Sequence, residues 1–338
     1  MNLRRATRRS RLKLAAVALA VTLAAVAALV IPGLAGAVDV PSITSPSDGD
    51  FLNGGWNQTV SFSSATSPAV GFSLLRNPAT GGSCDMTGAS TVGSAAPNAT
   101  SIHDDSSPLP DARYCYVVEA DDGGGVVADS APINITYDTG PPIATIGTTP
   151  SAHSSDTTPT FSFSSSESTG ATFECSTDGG TYAACSSPKT LGSLSDGPHT
   201  FAVKAIDQAG NHSSSPDSFA WNVDTVHPTA TIGTKPTSPS SDKTPGFSFS
   251  SSEPSGATFE CSLDSPTYSS CSSPVTLPTL ADGSHTFNVK AIDQAGNHSS
   301  SPASYTWIVD AAPPTATITT EPTLVTNDAT PTFAFTSS

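Results

Sequence analysis

Beyond the first forty or so residues, apolar and polar residues alternate with a period of two. The alternation comes in short runs broken by Gly, Pro, Asp and Asn, the pattern of half-buried β-strands. In residues 158–164 Phe161 and Phe163 alternate with Ser and Thr. Residues 200–206 put Phe201, Val203 and Ala205 on one face and Lys204 on the other, and 218–224 send Phe219, Trp221 and Val223 inward. Residues 143–146, 171–176 (Phe173 and Cys175 on one face) and 181–185 are further strands, and 189–191 supply another. Asp178-Gly179-Gly180 predicts a hairpin turn that sets Cys175 across from Cys185. No helical period appears after the N-terminal stretch.

The stretch KAIDQAGNHSSSP at 204–216 recurs letter for letter at 290–302, and its surroundings repeat at the same offset of 86 residues (204 to 290). Phe247 and Phe249 stand for Phe161 and Phe163, Phe259 and Cys261 for Phe173 and Cys175. Phe287, Val289 and Ala291 then form one inward row, and Tyr305, Trp307 and Val309 the next. A unit this long is a small domain, not a solenoid step. About seven such strands per unit predict a two-sheet antiparallel sandwich. The chain thus divides into repeats at 139–224 and 225–310, preceded by a divergent unit at 38–138. That unit has strands expected at 59–62, 70–75, 114–120 and 133–137, and an irregular loop over 98–110. Residues 311–338 open a third repeat, with strands at 314–318 and 331–335. Phe333 and Phe335 then lack a covering sheet, and two strands alone are marginal in water. This predicts a poorly ordered tail and a sequence cut within a longer array.

Residues 1–37 alter the charge picture. Arg4, Arg5, Arg8, Arg9, Arg11 and Lys13 precede an apolar run over 14–31, and Ala35-Gly36-Ala37 follows Pro32-Gly33. A basic start, an apolar run and a small-x-small site form a secretory signal cleaved after Ala37. The alternative, an uncleaved membrane anchor, is disfavoured by the Pro-Gly break. Residues 7–13 partly resemble a twin-arginine signal, with Arg11 where an apolar residue belongs. Removal of the six basic residues takes the net charge from −16 to near −22 (7 − 29). A surface of that sign repels nucleic acid and anionic membranes. Partners are therefore sought among cell-surface glycans, proteins and the neighbouring repeats, with no nucleic acid and no membrane insertion after cleavage.

The six cysteines fall one pair per unit: Cys84 with Cys115, Cys175 with Cys185, Cys261 with Cys271. Other pairings are open in principle, but separate domains favour these local ones. No Cys-x-x-Cys suggests zinc instead. Disulfides imply an oxidising, extracytoplasmic setting.

In the duplicated stretch, Asp207 and Asn211 are residues whose side chains bond nearby backbone, and Gly210 supplies a positive φ, so a tight turn between two strands explains it. A calcium site on Asp207, or on Asp224 and Asp310 at the junctions, is the functional alternative. His212 beside Ser213, copied at His298, brings histidine near serine, yet there is no nucleophile elbow. Asn57, Asn98, Asn134, Asn211 and Asn297 open N-x-Ser/Thr sequons. No catalytic residue, metal ligand or cofactor site is assigned from the sequence.

Residues 173–176 (FECS), 185–188 (CSSP), 196–201 (DGPHTF) and 207–211 (DQAGN) resemble the bacterial Ig-like repeats of large, repetitive exported proteins. So do the linkers Val223-Asp224-Thr225 and Tyr137-Asp138-Thr139. The resemblance covers 139–310 closely and 38–138 loosely. It implies an all-β chain of tandem Ig-like antiparallel β-sandwiches after an N-terminal signal peptide. It also implies a secreted or cell-surface location and a non-enzymatic structural or adhesive spacer role. A carbohydrate-binding or accessory region of a larger secreted enzyme is the competing expectation.

Overall fold

Short alternating runs bury their apolar side only by pairing into sheets that face one another. The computed structural model describes residues 40–338 except 54–57, 64–68, 70, 80–82, 106–108, 122, 124–125, 168, 254 and 326, with the side chains of 126 and 127 also left out. Residues 1–37, including the expected cleavage site at Ala37, lie outside the described residues, as does Asn57. Every regular element among the described residues is a strand. The chain is all-β.

In the first repeat, one sheet runs in the order His153–Ser154, Asp217–Val223, Gly197–Ile206, Thr172–Thr177, Ala183–Cys185. The facing layer pairs Ala144–Ile146 with Phe163–Ser165 and Thr160–Phe161 with Lys189–Thr190. The second repeat keeps this plan. Ser269–Cys271, Thr258–Leu263, Gly283–Ile292 and Ala303–Val309 lie opposite the pairs Ala230–Ile232 with Phe249–Ser251 and Gly246–Phe247 with Val275–Thr276. The two repeats have separate cores. In the first, Phe161 stacks on Phe201 at 4.3 Å and meets Trp221 at 5.2 Å; in the second, Phe247 stacks on Phe287 at 4.4 Å and meets Trp307 at 5.2 Å. Each fully buried ring contributes about 1.5–3 kcal/mol relative to exposure. The buried indole N–H groups of Trp221 and Trp307 have no hydrogen-bond partner, so these rings act through packing against a cost of about 1–3 kcal/mol.

The first unit has its own core, around Val60, Leu74, Ile102, Tyr116, Val118 and Ile135. One sheet takes Ser42–Ser45, Thr59–Ser63 and Ser101–His103. The other runs Asp50–Leu52, Ile133–Tyr137, Ala112–Asp121, Gly71–Pro78, Ser90–Ala95, with Val126–Asp129 beside Ala112–Asp121.

Four expectations need correction. The run 158–164 is not one strand: it breaks at Ser162 because Phe161 and Phe163 sit where the chain passes from one neighbour strand to another. Both rings still point inward. Cys175 does not oppose Cys185. Register pairs Cys175 with Ala183 and Cys185 with Phe173, so the disulfide is diagonal. The loop expected over 98–110 contains the strand Ser101–His103, paired with Thr59–Ser61; its one apolar residue, Ile102, is buried. Too short to show alternation, it was invisible as a pattern. Last, the second strand of the tail lies later than 331–335: Ala334–Ser337 pairs with Ala316–Thr320, in the same register as Ala144–Ile146 with Phe163–Ser165. Phe333 and Phe335 are 53% and 74% exposed, uncovered as their sequence context requires.

Candidate functional site at the domain junctions

The strand Gly197–Ile206 ends at Asp207, and the chain must reverse into Asp217–Val223. Asp207, buried, closes the reversal with both carboxylate oxygens: Oδ1 accepts the Asn211 backbone N–H at 2.8 Å and Oδ2 accepts Asn211 Nδ2 at 2.8 Å. Gly210 sits at φ +86°, left-handed backbone that glycine adopts without penalty. Ser213, buried, accepts the Ala205 N–H and donates to the Ala205 carbonyl. The second copy repeats every contact through Asp293, Gly296, Asn297 and Ser299.

This turn also reaches out of its own sandwich. The second Nδ2 hydrogen of Asn211 goes to the carbonyl of Asp138 at 2.7 Å, and that of Asn297 to the carbonyl of Asp224 at 2.7 Å. Asp138 and Asp224 each immediately follow the last strand of the preceding unit. The next linker residue is held from the other side. Thr139 donates its N–H and hydroxyl to Asp111 Oδ1 at 3.0 and 2.8 Å, and Thr225 donates the same pair to Asp196 Oδ1 at 3.0 and 2.9 Å. Asp138 and Asp224 also accept the N–H two residues on, from Gly140 and Val226. Each linker is thus gripped by an aspartate of the unit before and an asparagine of the unit after. At the next boundary only a weaker version survives: Ala311, without a hydroxyl, gives its N–H to Asp282 at 3.3 Å.

Sequence reading found the turn but missed its second half. A signal was available: the asparagine recurs with the Asp-Thr linker at constant spacing, which an internal turn does not require. The glutamine of the same stretch has a role too. Gln208 packs over Gly170, and Gln294 over Gly256, at left-handed glycines where a Cβ would collide with the amide.

Of the aspartates considered for calcium, Asp224 comes together with Asp293, the copy of Asp207, and with Glu253, which the sequence did not single out. Their carboxylate oxygens lie within 4.8 Å of one another. Burial, then the charges of Asp224 and Asp293, push the Glu253 carboxyl above its ordinary value. Three carboxylates are hard donors of the type calcium takes, though fewer oxygens than its usual shell of about six to eight. Asp310 instead accepts the Ala312 N–H.

The histidine and serine pair does not assemble. The Ser213 hydroxyl is closed on Ala205 inside the turn, while the His212 ring is exposed, with Nδ1 3.8 Å from Glu174. Among the sequons, Asn211 and Asn297 have both amide hydrogens committed, which leaves neither free for a glycan in the folded state. Asn134 donates to Asp48, and Asn98 is exposed at φ 67°. The cysteines form the disulfides Cys84–Cys115, Cys175–Cys185 and Cys261–Cys271, with Cα atoms 5.5, 5.9 and 5.8 Å apart. On the outer sheet faces Lys204 lies over Tyr182 and Lys290 over Tyr268, at 4.5 and 4.4 Å. A cavity of about 390 Å³ opens on the second repeat beside Lys235, Asp242 and Pro274.

The fold and the junctions define a string of β-sandwiches joined by pinned linkers. Residues 258–310 match the family model of the bacterial Ig-like domain, and the closely similar sequence 86 residues before them has the same strands. No curated protein matches the chain. Among solved structures, a 1.5-MDa bacterial ice-binding adhesin matches at 17% identity over 82% of this chain and 99% of that one, with TM-score 0.35. A tetra-tandem repeat from the extending region of a large adhesion protein matches at 18% over 85% and 78%, TM-score 0.29. The FN1-FN3 domains of chicken CNTN1 match at 13% over 81% and 98%, TM-score 0.30.

Proposed function

We propose that this chain is a non-enzymatic spacer of an exported bacterial surface protein, a stiff rod of sandwiches that carries adhesive function outward. Its units are 38–138, 139–224 and 225–310, after a signal peptide cleaved behind Ala37, with 311–338 opening a further unit. The observation that carries this is the linker grip, made twice with the same atoms. Asparagine in front and aspartate behind leave the linker little rotational freedom, and each bond contributes about 0.5–1.5 kcal/mol net. Catalysis is argued against by the closed serine and by loops spent on turns. The three disulfides favour an extracytoplasmic setting. The test is small-angle scattering on the whole chain and on a deletion of 139–224. The rod reading expects the maximum dimension to fall by one sandwich length with the profile still narrow; a compact or unchanged profile counts against it.

The second reading, a glycan-binding accessory region, draws on the cavity beside Lys235 and Asp242. Against it, the half-buried Tyr182 and Tyr268 rings each have a lysine over one face, where a sugar would stack. Selective retention of the chain on a glycan array, lost in Lys235→Ala, would favour this reading over the spacer.

A further inference from the structure

At the end of each repeat that faces the following linker, one histidine has acceptors on both ring nitrogens. His199 Nδ1 lies 2.8 Å from Asp178 Oδ2 and Nε2 lies 2.8 Å from the Ser195 carbonyl. His285 repeats this with Asp264 at 2.6 Å and the Ala281 carbonyl at 2.9 Å. A carboxylate and a carbonyl only accept. A neutral imidazole carries one N–H, so one contact would set lone pair against lone pair; the imidazolium donates to both. The ring is mostly buried, its side chain 10% exposed in His199 and 13% in His285, and it lies 5.8 Å from the Trp221 or Trp307 ring.

The position of these rings ties them to the linker. Ser195 and Ala281 each immediately precede the aspartate, Asp196 or Asp282, that holds the next linker. Asp178 and Asp264 sit at positive φ in the opposite hairpin turn, and each also accepts the N–H of the residue after the histidine. The imidazolium therefore spans from the hairpin turn to the loop that grips the linker. The other charges at this end are accounted for. Asp196 is committed to Thr225, and Asp282 is paired with Lys243 at 3.0 Å from the facing loop; from the last strand the neutral tryptophan stands opposite the histidine in register.

The geometry points to His199 and His285 as imidazolium clips that make the stiffness of the linker respond to pH: protonated, they brace the gripping loop; deprotonated, they release it. The electrostatics run the same way. The hydrogen bond to Ser195 and then that to Asp178 raise the His199 value, and the bond to Asp264 and then that to Ala281 raise His285. A raised value means the clip is fully present below the ordinary histidine value of about 6.5 and is lost as pH rises through the folded value.

This inference rests on the clamped-rod reading, and the test separates the two. In the whole chain, histidine ring carbon signals are followed by NMR against pH, with H199Q and H285Q used for assignment. Both rings are expected to titrate above about 6.5; either one at or below that value overturns the clip. Scattering of the same chain is then compared at acid and alkaline pH. A narrow rod at acid pH that broadens at alkaline pH, with the response absent in the H199Q/H285Q double variant, supports the coupling. A rod equally narrow at both overturns the coupling but leaves the spacer standing. A broad ensemble already at acid pH overturns both.

Discussion

The first unit and the two repeats reach similar sandwiches by different locks. In the first unit the interior holds a polar network: Arg76 Nη1 bonds Asp104 Oδ2 at 2.6 Å, and Tyr116 donates to the same oxygen at 2.8 Å with Tyr137 beside it at 3.4 Å. Burial, then the contacts with Tyr137 and Asp104, drive the Tyr116 phenol far above its ordinary value. The repeats have instead a dry stack of Phe and Trp, a diagonal hairpin disulfide and a histidine clip. What all three share is the trailing aspartate on the linker, Asp111, Asp196 and Asp282. The core is interchangeable between solutions; the grip on the linker recurs.

That contrast can be broken at several points. The largest effect is expected from Asp104→Ala, which leaves the half-buried Arg76 guanidinium and the buried Tyr116 hydroxyl without their shared acceptor. A loss of about 3–5 kcal/mol should fall on the first unit alone, read as one transition moving in calorimetry while those of the repeats stay. A uniform shift of all transitions would mean the units are not independent. Next, Cys175→Ala with Cys185→Ala removes a short-loop staple from one repeat and should cost it about 2–4 kcal/mol, with the second repeat as internal control. Smaller is the pH response. The repeats should lose stability as pH rises through the histidine range, because His199 and His285 have raised values. The loss should shrink in H199Q/H285Q, and the first unit should not share it. Denaturant midpoints from acid to alkaline pH check this.

How much of this was readable before the structure follows from particular residues. Long alternating runs such as 200–206 and 218–224 announced their strands and inward faces, since every second residue there had to be buried. Pairing of the cysteines within each unit was favoured by the division into separate domains, but the diagonal register was not legible, because register depends on how many residues the Asp178-Gly179 turn consumes. Short strands were silent: Ser101–His103 and His153–Ser154 contain too few residues to show a period, and their pairing is decided by neighbours far along the chain. At the site, Asp207 and Gly210 were legible as turn chemistry. The reach of Asn211 to Asp138, 73 residues away, was hidden because a local explanation already used the residue. Glu253 was missed for the opposite reason: alone in a serine-rich loop, it gains meaning only when Asp224 and Asp293 fold against it.

The duplicated stretch serves the junction as well as its own turn. Backbone ¹⁵N relaxation on the whole chain and on Asn211→Ala with Asn297→Ala tests it most directly. The account predicts that neighbouring repeats of the wild-type chain tumble with one anisotropic correlation time, and that the double variant, with each repeat still folded, splits into faster, independent times. Repeats that already tumble independently in the wild type, or a folded variant whose correlation times stay unchanged, would contradict it.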